Sequence, residues 1–254
     1  MDNNKIIEEI INNIESSELI NDPFDHKFVN NVLPQDFYKE ILLNLPARTE
    51  YPNLSESGRV GKQYSKERYL LNLSDQKIIQ NFSEEKKLFI KKLINIFTSS
   101  KIFQSVSKQF FMILKKRFQN FSEEEKILYG ENNFKFKIGL SLVKDFTKYS
   151  MGVHTDARHK FLTFLFYLPK DRNLSNIGTT LYKAKTDQID QKQIHFSPKE
   201  SQEYFKPTKR CPFIPNSLLV FPRTNYSYHG VEEVNIDKKE RNLLLLNYYI
   251  HKNN

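Results

Sequence analysis

From residue 133 onward, the apolar residues of this 254-residue chain alternate with polar ones or form short continuous runs between turn residues. Because successive residues of a strand face opposite sides of a sheet, a period of two predicts β-strands. Seven strands are predicted, at 134–143, 152–156, 161–168, 179–184, 217–221, 228–231 and 241–250. They follow one another without intervening helical patterns, which favours a sandwich or jelly-roll barrel over a parallel sheet.

The first 130 residues mainly show a helical period. The isoleucines of the first segment repeat at the three, four and seven spacing of one helix face, at Ile6, Ile7, Ile10, Ile11 and Ile14. This pattern predicts an amphipathic helix that packs on its own domain, since its polar face is acidic. Further helices are predicted at 36–45, 83–99, 104–117 and 122–129, and short strands at 24–29 and 69–73.

These patterns predict a helix in residues 1–20 followed by a single domain at 21–254. Within that domain, residues 21–130 form a mainly helical support and residues 131–254 form the β core. A long charged connection at 185–216 interrupts the core. Long connections in compact domains often serve as lids or binding loops, and we expect that role here.

The sequence also excludes several classes of protein. It contains no apolar run near 18 residues, so no transmembrane helix is predicted. The N-terminus lacks the basic and continuous apolar regions of a secretory signal, which predicts a cytoplasmic protein. The single cysteine, Cys211, rules out an intramolecular disulfide and a multi-cysteine zinc site, and we expect a structural or surface thiol.

The formal net charge of +9 raises the question of a nucleic-acid partner. The excess consists mostly of lysine, with 30 Lys and 9 Arg, and the basic residues are scattered along the chain. Because bidentate recognition of phosphates and base edges favours arginine, this distribution favours compositional bias over a phosphate-binding face. A nucleic-acid partner is therefore not expected.

Three residues have the chemistry of a metal site. His154 and Asp156 are two positions apart on a predicted strand, so both side chains can point to one face. With His229 from another strand they would form a 2-His-1-carboxylate triad, which leaves three coordination positions of Fe(II) open. Arg241 follows His229 by twelve positions and opens an apolar strand, where its guanidinium could hold a carboxylate.

Several short motifs occur in the same order and with similar gaps in a known family. They are HTDA at 154–157, LTFLFYLP at 162–169, GTTLY at 178–182, Phe221, YHGV at 228–231 and Arg241. In these motifs the sequence resembles the 2-oxoglutarate and Fe(II)-dependent dioxygenase superfamily, in its prolyl-4-hydroxylase-like branch. The likeness covers about residues 135–250, and PFDH at 23–26 with NVLP at 31–34 extends it upstream.

The resemblance implies an α+β fold, a double-stranded β-helix (jelly-roll) barrel with the helical N-terminal half packed against it. It implies that His154, Asp156 and His229 bind Fe(II) and that Arg241 binds the distal carboxylate of 2-oxoglutarate. Tyr167, which shares a strand face with Thr163 and Leu165, would donate a hydrogen bond to that carboxylate.

The implied activity is that of a dioxygenase that uses 2-oxoglutarate and O2 as cosubstrates, with ascorbate as a candidate reductant. It would hydroxylate a protein side chain or a small metabolite and release succinate and CO2. Two alternatives stay open: a non-catalytic jelly-roll binding module, and a zinc-dependent hydrolase that would have no need of Arg241. The substrate and the oligomeric state are left open by the sequence.

Overall fold

The computed structural model describes residues 1–57, 60, 65–129, 134–190, 192–235 and 239–252. The predicted boundary between the helical and β parts, at residues 130 and 131, lies outside these ranges. Among the described residues, none of the helices has the length and apolar character needed to cross a membrane.

The described helices lie mainly in the first half of the chain, as predicted. They are α1 (Asn3–Ser16), α2 (Gln35–Leu43), α3 (Gln76–Ile79), α4 (Glu84–Phe97), α5 (Ser100–Gln109), α6 (Phe111–Gln119), α7 (Glu123–Tyr129) and α8 (Pro198–Tyr204). The single helix predicted at 104–117 is wrong in one respect, because Phe110 interrupts it between the end of α5 and the start of α6. The helix direction changes at Phe110, whose ring is buried in the core.

Ten strands form two antiparallel sheets. They are β1 (Lys27–Asn30), β2 (Arg68–Asn72), β3 (Phe134–Asp145), β4 (Met151–His154), β5 (Lys160–Tyr167), β6 (Thr179–Ala184), β7 (Phe205–Cys211), β8 (Ser217–Pro222), β9 (His229–Val231) and β10 (Arg241–Lys252). The larger sheet has the order β1-β8-β5-β10-β3-β2 and the smaller one the order β4-β9-β6-β7. All seven strands predicted in the second half are present, although the one predicted at 152–156 ends at His154.

The connection at 185–216 is more ordered than the sequence predicts, because it contains α8 and β7. Strand β7 lies at an edge of the smaller sheet, and most of its residues are exposed. Its Pro207 pairs with Tyr182 where the register of the two strands shifts. A polar edge strand with a proline at a bulge lacks the apolar alternation that identifies a strand in sequence.

The larger sheet is buried on both faces, which explains its long apolar runs. Phe164 and Phe166 of β5 pack in the core shared with the helices. Their neighbours Leu165 and Tyr167 pack instead among residues of the smaller sheet, including Leu181. The helical layer, the larger sheet and the smaller sheet are thus stacked in that order, and the predicted α+β class with helices against the β core is confirmed.

Candidate metal centre and its cavity

The three residues predicted as metal ligands lie together. His154 and His229 are cross-strand partners at the paired positions of β4 and β9, and their ring centroids are 4.2 Å apart. Asp156 follows β4 by two residues, and one potential ligand atom from each of the three residues lies within 4.8 Å of the others. All three side chains are buried. The pairing of two short strands therefore brings two imidazoles and a carboxylate to one point.

Both imidazoles are held in the form that binds a metal. Nδ1 of His154 lies 3.0 Å from the carbonyl oxygen of Gly152, and Nδ1 of His229 lies 3.0 Å from that of Ser227. A carbonyl oxygen only accepts hydrogen bonds, so each Nδ1 carries the proton and each Nε2 keeps its lone pair. Burial is the main cause that lowers the pKa of both histidines, which keeps them neutral near pH 7.

The carboxylate of Asp156 is fixed by two donors. Lys160 Nζ donates to Oδ1 at 2.6 Å, and Thr163 Oγ1 donates to Oδ2 at 2.6 Å. Burial alone would raise the pKa of Asp156, but the charge of Lys160, with smaller contributions from the two nearby histidines, outweighs burial and holds that pKa below its usual value. Asp156 is therefore an anion, which is the form required of a metal ligand.

Arg241 is fully buried and paired with another acid. Its Nη1 donates to Oδ2 of Asp145 at 2.7 Å, and its Nε donates to the carbonyl oxygen of Ile177 at 2.9 Å. Asp145 also accepts two hydrogen bonds from Arg68, at 2.6 Å and 2.8 Å. Two guanidinium groups thus share one carboxylate, which leaves this cluster with one net positive charge.

Tyr167 lies beside this cluster but is turned toward the neighbouring strand. Its hydroxyl donates to Thr179 Oγ1 at 2.8 Å and accepts the Thr179 N–H at 3.3 Å. The phenol is completely buried, and burial raises its pKa above the usual value. Donation to a bound carboxylate would require this hydroxyl to leave Thr179, which itself lines the cavity described next.

A cavity of about 350 Å³ connects the two groups of residues. Its polar wall contains the His154, Asp156 and His229 triad at one place and Arg68 with Arg241 at another. Apolar side chains cover most of the remaining wall, among them Leu70, Met151, Leu165, Leu243 and Leu245. A molecule held in this cavity can therefore contact both a metal at the triad and the guanidinium of Arg241.

A further histidine, His195, lies at this site and was not predicted from the sequence. His195 belongs to the connection at 185–216, and its ring stacks on that of His154 with centroids 5.4 Å apart. The backbone around it pairs with the segment that carries the triad, since Thr155 N donates to Ile194 O and Phe196 N donates to Val153 O. His195 is exposed at the cavity wall, so the connection contributes directly to the site.

Arg68 and Asp145 were likewise not predicted from the sequence. Arg68 lies on β2 and Asp145 at the end of β3, and these two strands pair with Arg68 opposite Asp145. Asp145 is also opposite Arg241 of β10. Only the strand register brings these residues together, because 77 positions separate Arg68 from Asp145 in the chain.

Comparison with solved structures identifies the fold. A prolyl hydroxylase from Trichoplax adhaerens, solved with a hypoxia inducible factor oxygen degradation domain peptide fragment, matches with a TM-score of 0.52 and 14% identity, over 97% of this chain and 90% of that one. The non-heme alpha ketoglutarate dependent epimerase SnoN from nogalamycin biosynthesis matches with a TM-score of 0.51 and 11% identity, over 96% and 82%. The sequence matches no protein-family model and gives no significant match among curated proteins. At these identities the likeness establishes a shared fold of helices and antiparallel sheets, which agrees with the α+β class expected from the sequence.

Proposed function

We propose that the protein is a non-haem Fe(II)- and 2-oxoglutarate-dependent dioxygenase that hydroxylates its substrate and releases succinate and CO2. The observation that carries this proposal is the single cavity that joins the His154, Asp156 and His229 triad to Arg241. The supporting scaffold is a double-stranded β-helix formed by the two sheets, whose facing sides share one apolar core.

The donor set fits Fe(II). Two neutral imidazoles and one carboxylate are the ligands that non-haem iron oxygenases use, and three coordination positions stay open for other ligands. When bound, Fe(II) and 2-oxoglutarate supply the activation of O2 for oxidation of a C–H bond. The chain would hold the metal through Nε2 of each histidine and an oxygen of Asp156.

The charge around Arg241 fits one carboxylate. Arg68 and Arg241 carry two positive charges and Asp145 carries one negative charge, so one net positive charge faces the cavity. In this proposal it binds the distal carboxylate of 2-oxoglutarate through charge-assisted hydrogen bonds. In this proposal the hydroxyl of Tyr167 exchanges its hydrogen bond to Thr179 Oγ1 for one to the bound carboxylate.

For the substrate we propose a protein or peptide side chain, with a small metabolite as the second choice. The prolyl hydroxylase that shares this fold was solved with a peptide fragment. In this chain His159 and His195 line the cavity and are exposed, so the cavity reaches the protein surface. A side chain attached to a larger molecule could enter there.

The test is an anaerobic titration of the metal-free protein with Fe(II) and 2-oxoglutarate, followed by visible absorbance. The chelate of metal and cosubstrate is expected to give a weak charge-transfer band in the wild type. Asp156→Ala should abolish this band, and Arg241→Lys should weaken 2-oxoglutarate binding at least about tenfold, since a lysine cannot make the two-pronged contact. Succinate release with candidate peptides then identifies the substrate.

The matched control is Arg210→Lys. Arg210 is a half-exposed arginine of β7 that pairs with Glu232 outside the cavity, so its replacement should leave the band unchanged. The proposal fails if the folded wild type gives no band. A band that Arg241→Lys does not affect would contradict the role of Arg241. Zinc-supported hydrolysis that survives replacement of Arg241 would favour the hydrolase alternative.

A further inference from the structure

A second cavity, of about 280 Å³, lies behind the segment that carries Asp156. Residues of α6 and of the turn that follows β8 form its wall, with Lys116, Arg117 and Asn120 on one side and Arg223, Asn225 and Tyr226 on the other. Three of these six side chains are cations. Glu125 is the acidic residue that lines the cavity, and one of its carboxylate oxygens accepts the N–H of Ser122.

Arg223 is a buried cation with an unused donor. Arg223 is only 1% exposed. Nε donates to the backbone carbonyl of Asp156 at 3.1 Å, and Nη1 donates to Asn225 Oδ1 at 2.6 Å. Nη2 is buried and has no hydrogen-bond partner among the residues that the structure describes. A buried guanidinium N–H without an acceptor is strongly unfavourable, which indicates that a bound ligand supplies the acceptor.

Arg117 repeats this arrangement from the opposite wall. Its Nη1 donates to the carbonyl oxygen of Lys160 at 2.6 Å and its Nη2 donates to that of Arg158. Its Nε is buried without a hydrogen-bond partner in the described part of the chain. Burial, and then the charge of Arg223, lower the pKa of Arg117, and the opposing effect of the Glu125 carboxylate does not outweigh them.

We propose that this cavity binds a small oxyanion, a carboxylate or a phosphate group, between Arg117 and Arg223. Both guanidinium groups have a donor left, planar guanidinium groups match the geometry of such anions, and Lys116 adds a third charge at the entrance. Phe121 and Tyr226 also line the cavity, and their rings could contact a carbon-containing part of the ligand. The site contains none of the triad residues, so anion binding can be tested without a metal or a cosubstrate.

An anion bound here would also act on the metal centre. Arg223 holds the backbone of Asp156, and Arg117 holds the carbonyl oxygens of Arg158 and Lys160 on the turn that follows it. Because coupling between two binding sites is reciprocal, an anion that shifts these arginines changes metal affinity, and the metal changes anion affinity by the same factor.

The test measures thermal unfolding of the protein freed of metal by dialysis, with inorganic phosphate, acetate, or chloride at the same ionic strength. A site-bound anion stabilises the folded state, and at about 100 times its Kd the expected rise in Tm is about 5 to 10 °C above the chloride sample. Phosphate and acetate in parallel distinguish the two kinds of anion. No metal or cosubstrate is present, so this result is separate from success or failure of the oxygenase proposal.

Variants place the effect in the cavity. Arg117→Lys is expected to weaken the anion at least about tenfold, and Lys116→Gln at least about threefold. Lys115→Gln is the matched control, because Lys115 is an exposed neighbour on the same helix that lies outside this cavity. If neither phosphate nor acetate exceeds chloride, or if the Lys116→Gln and Arg117→Lys proteins respond like the wild type and Lys115→Gln, the proposal is wrong.

Discussion

The ammonium group of Lys160 lies 2.6 Å from Oδ1 of Asp156, at the carboxylate that completes the candidate metal triad. The contact joins Asp156, in the segment after β4, to the first residue of β5 four positions later. Lys160 neutralises Asp156 in the absence of a metal, and a divalent cation at the triad would be repelled by the same ammonium. The lysine and the metal are therefore competitors for one carboxylate.

We expect Lys160→Met to strengthen metal binding. Removal of the charge should favour the metal by about 1 kcal/mol, which corresponds to about fivefold in Kd. Calorimetric titration with Mn(II), which is stable in air, measures this directly. Lys39→Met is the control, because Lys39 is an exposed residue of α2. Weaker binding in Lys160→Met would show that the lysine supports Asp156 as a ligand and does not compete with the metal.

Asp145 is expected to be essential for stability. It is completely buried and accepts hydrogen bonds from Arg68 and Arg241. Asp145→Asn would remove the counter-charge of the buried guanidinium of Arg241 and of the partly buried one of Arg68. Loss of one partner of a buried ion pair typically costs about 3 to 5 kcal/mol in the free energy of unfolding. Urea denaturation of the variant checks this value.

The control for this measurement is Asp36→Asn. The side chain of Asp36 is 87% exposed, and its pair with Lys39 is long, at 3.9 Å. Its replacement should change the free energy of unfolding by no more than about 0.5 kcal/mol. Equal effects of the two replacements would contradict the assignment of Asp145 as the counter-charge of both arginines.

Only the parts of the site that depend on the spacing of nearby residues could be predicted from the sequence. His154 and Asp156 are two residues apart, and both lie beside His229 as expected. The apolar alternation of β5, β8 and β10 likewise sets which residues face the helices and which face the smaller sheet. These features depend on the period of a strand, which is a local property.

Features that depend on register between distant segments were not predictable in the same way. Arg68 meets Asp145 only because β2 pairs with β3, and His195 reaches His154 only because its connection runs along β4. The polar edge strand β7 lacks the alternation that identifies a strand. Tertiary pairing decides these contacts, so no residue pattern within one segment reports them.

Gly178 is expected to tolerate no side chain. A Cβ at this position would lie 1.7 Å from the carbonyl oxygen of Cys211, which belongs to the backbone of the neighbouring strand and cannot move freely. Gly178→Ala should therefore separate β6 from β7 and destabilise the protein by about 3 kcal/mol or more. Thermal unfolding and soluble yield are the measurements.

Gly139→Ala provides the comparison for Gly178. A Cβ at Gly139 would lie 2.9 Å from Cε2 of Tyr249, which is part of a side chain that can shift. We expect this variant to lose clearly less stability than Gly178→Ala. A loss in Gly178→Ala no larger than that in Gly139→Ala would mean that the backbone at Cys211 shifts as easily as the side chain of Tyr249.

Cys211 is expected to be unreactive in the folded protein. Its residue is completely buried at the end of β7, and burial raises the pKa of the thiol to about 12. At pH 8 a free cysteine is partly ionised, whereas only about 10⁻⁴ of this thiol would be present as thiolate. Because the thiolate is the reactive form, its reaction with a disulfide reagent should be about a thousandfold slower. In guanidinium chloride the unfolded protein should react with one equivalent of the reagent at the rate of an exposed cysteine.

The control is the double variant Thr208→Cys with Cys211→Ser. Thr208 is exposed on the same strand, so a cysteine there should react quickly without denaturant. Rapid labelling of Cys211 in the folded wild type would show that β7 separates from β6 on the timescale of the reaction, and the smaller sheet would then be open at this edge in solution.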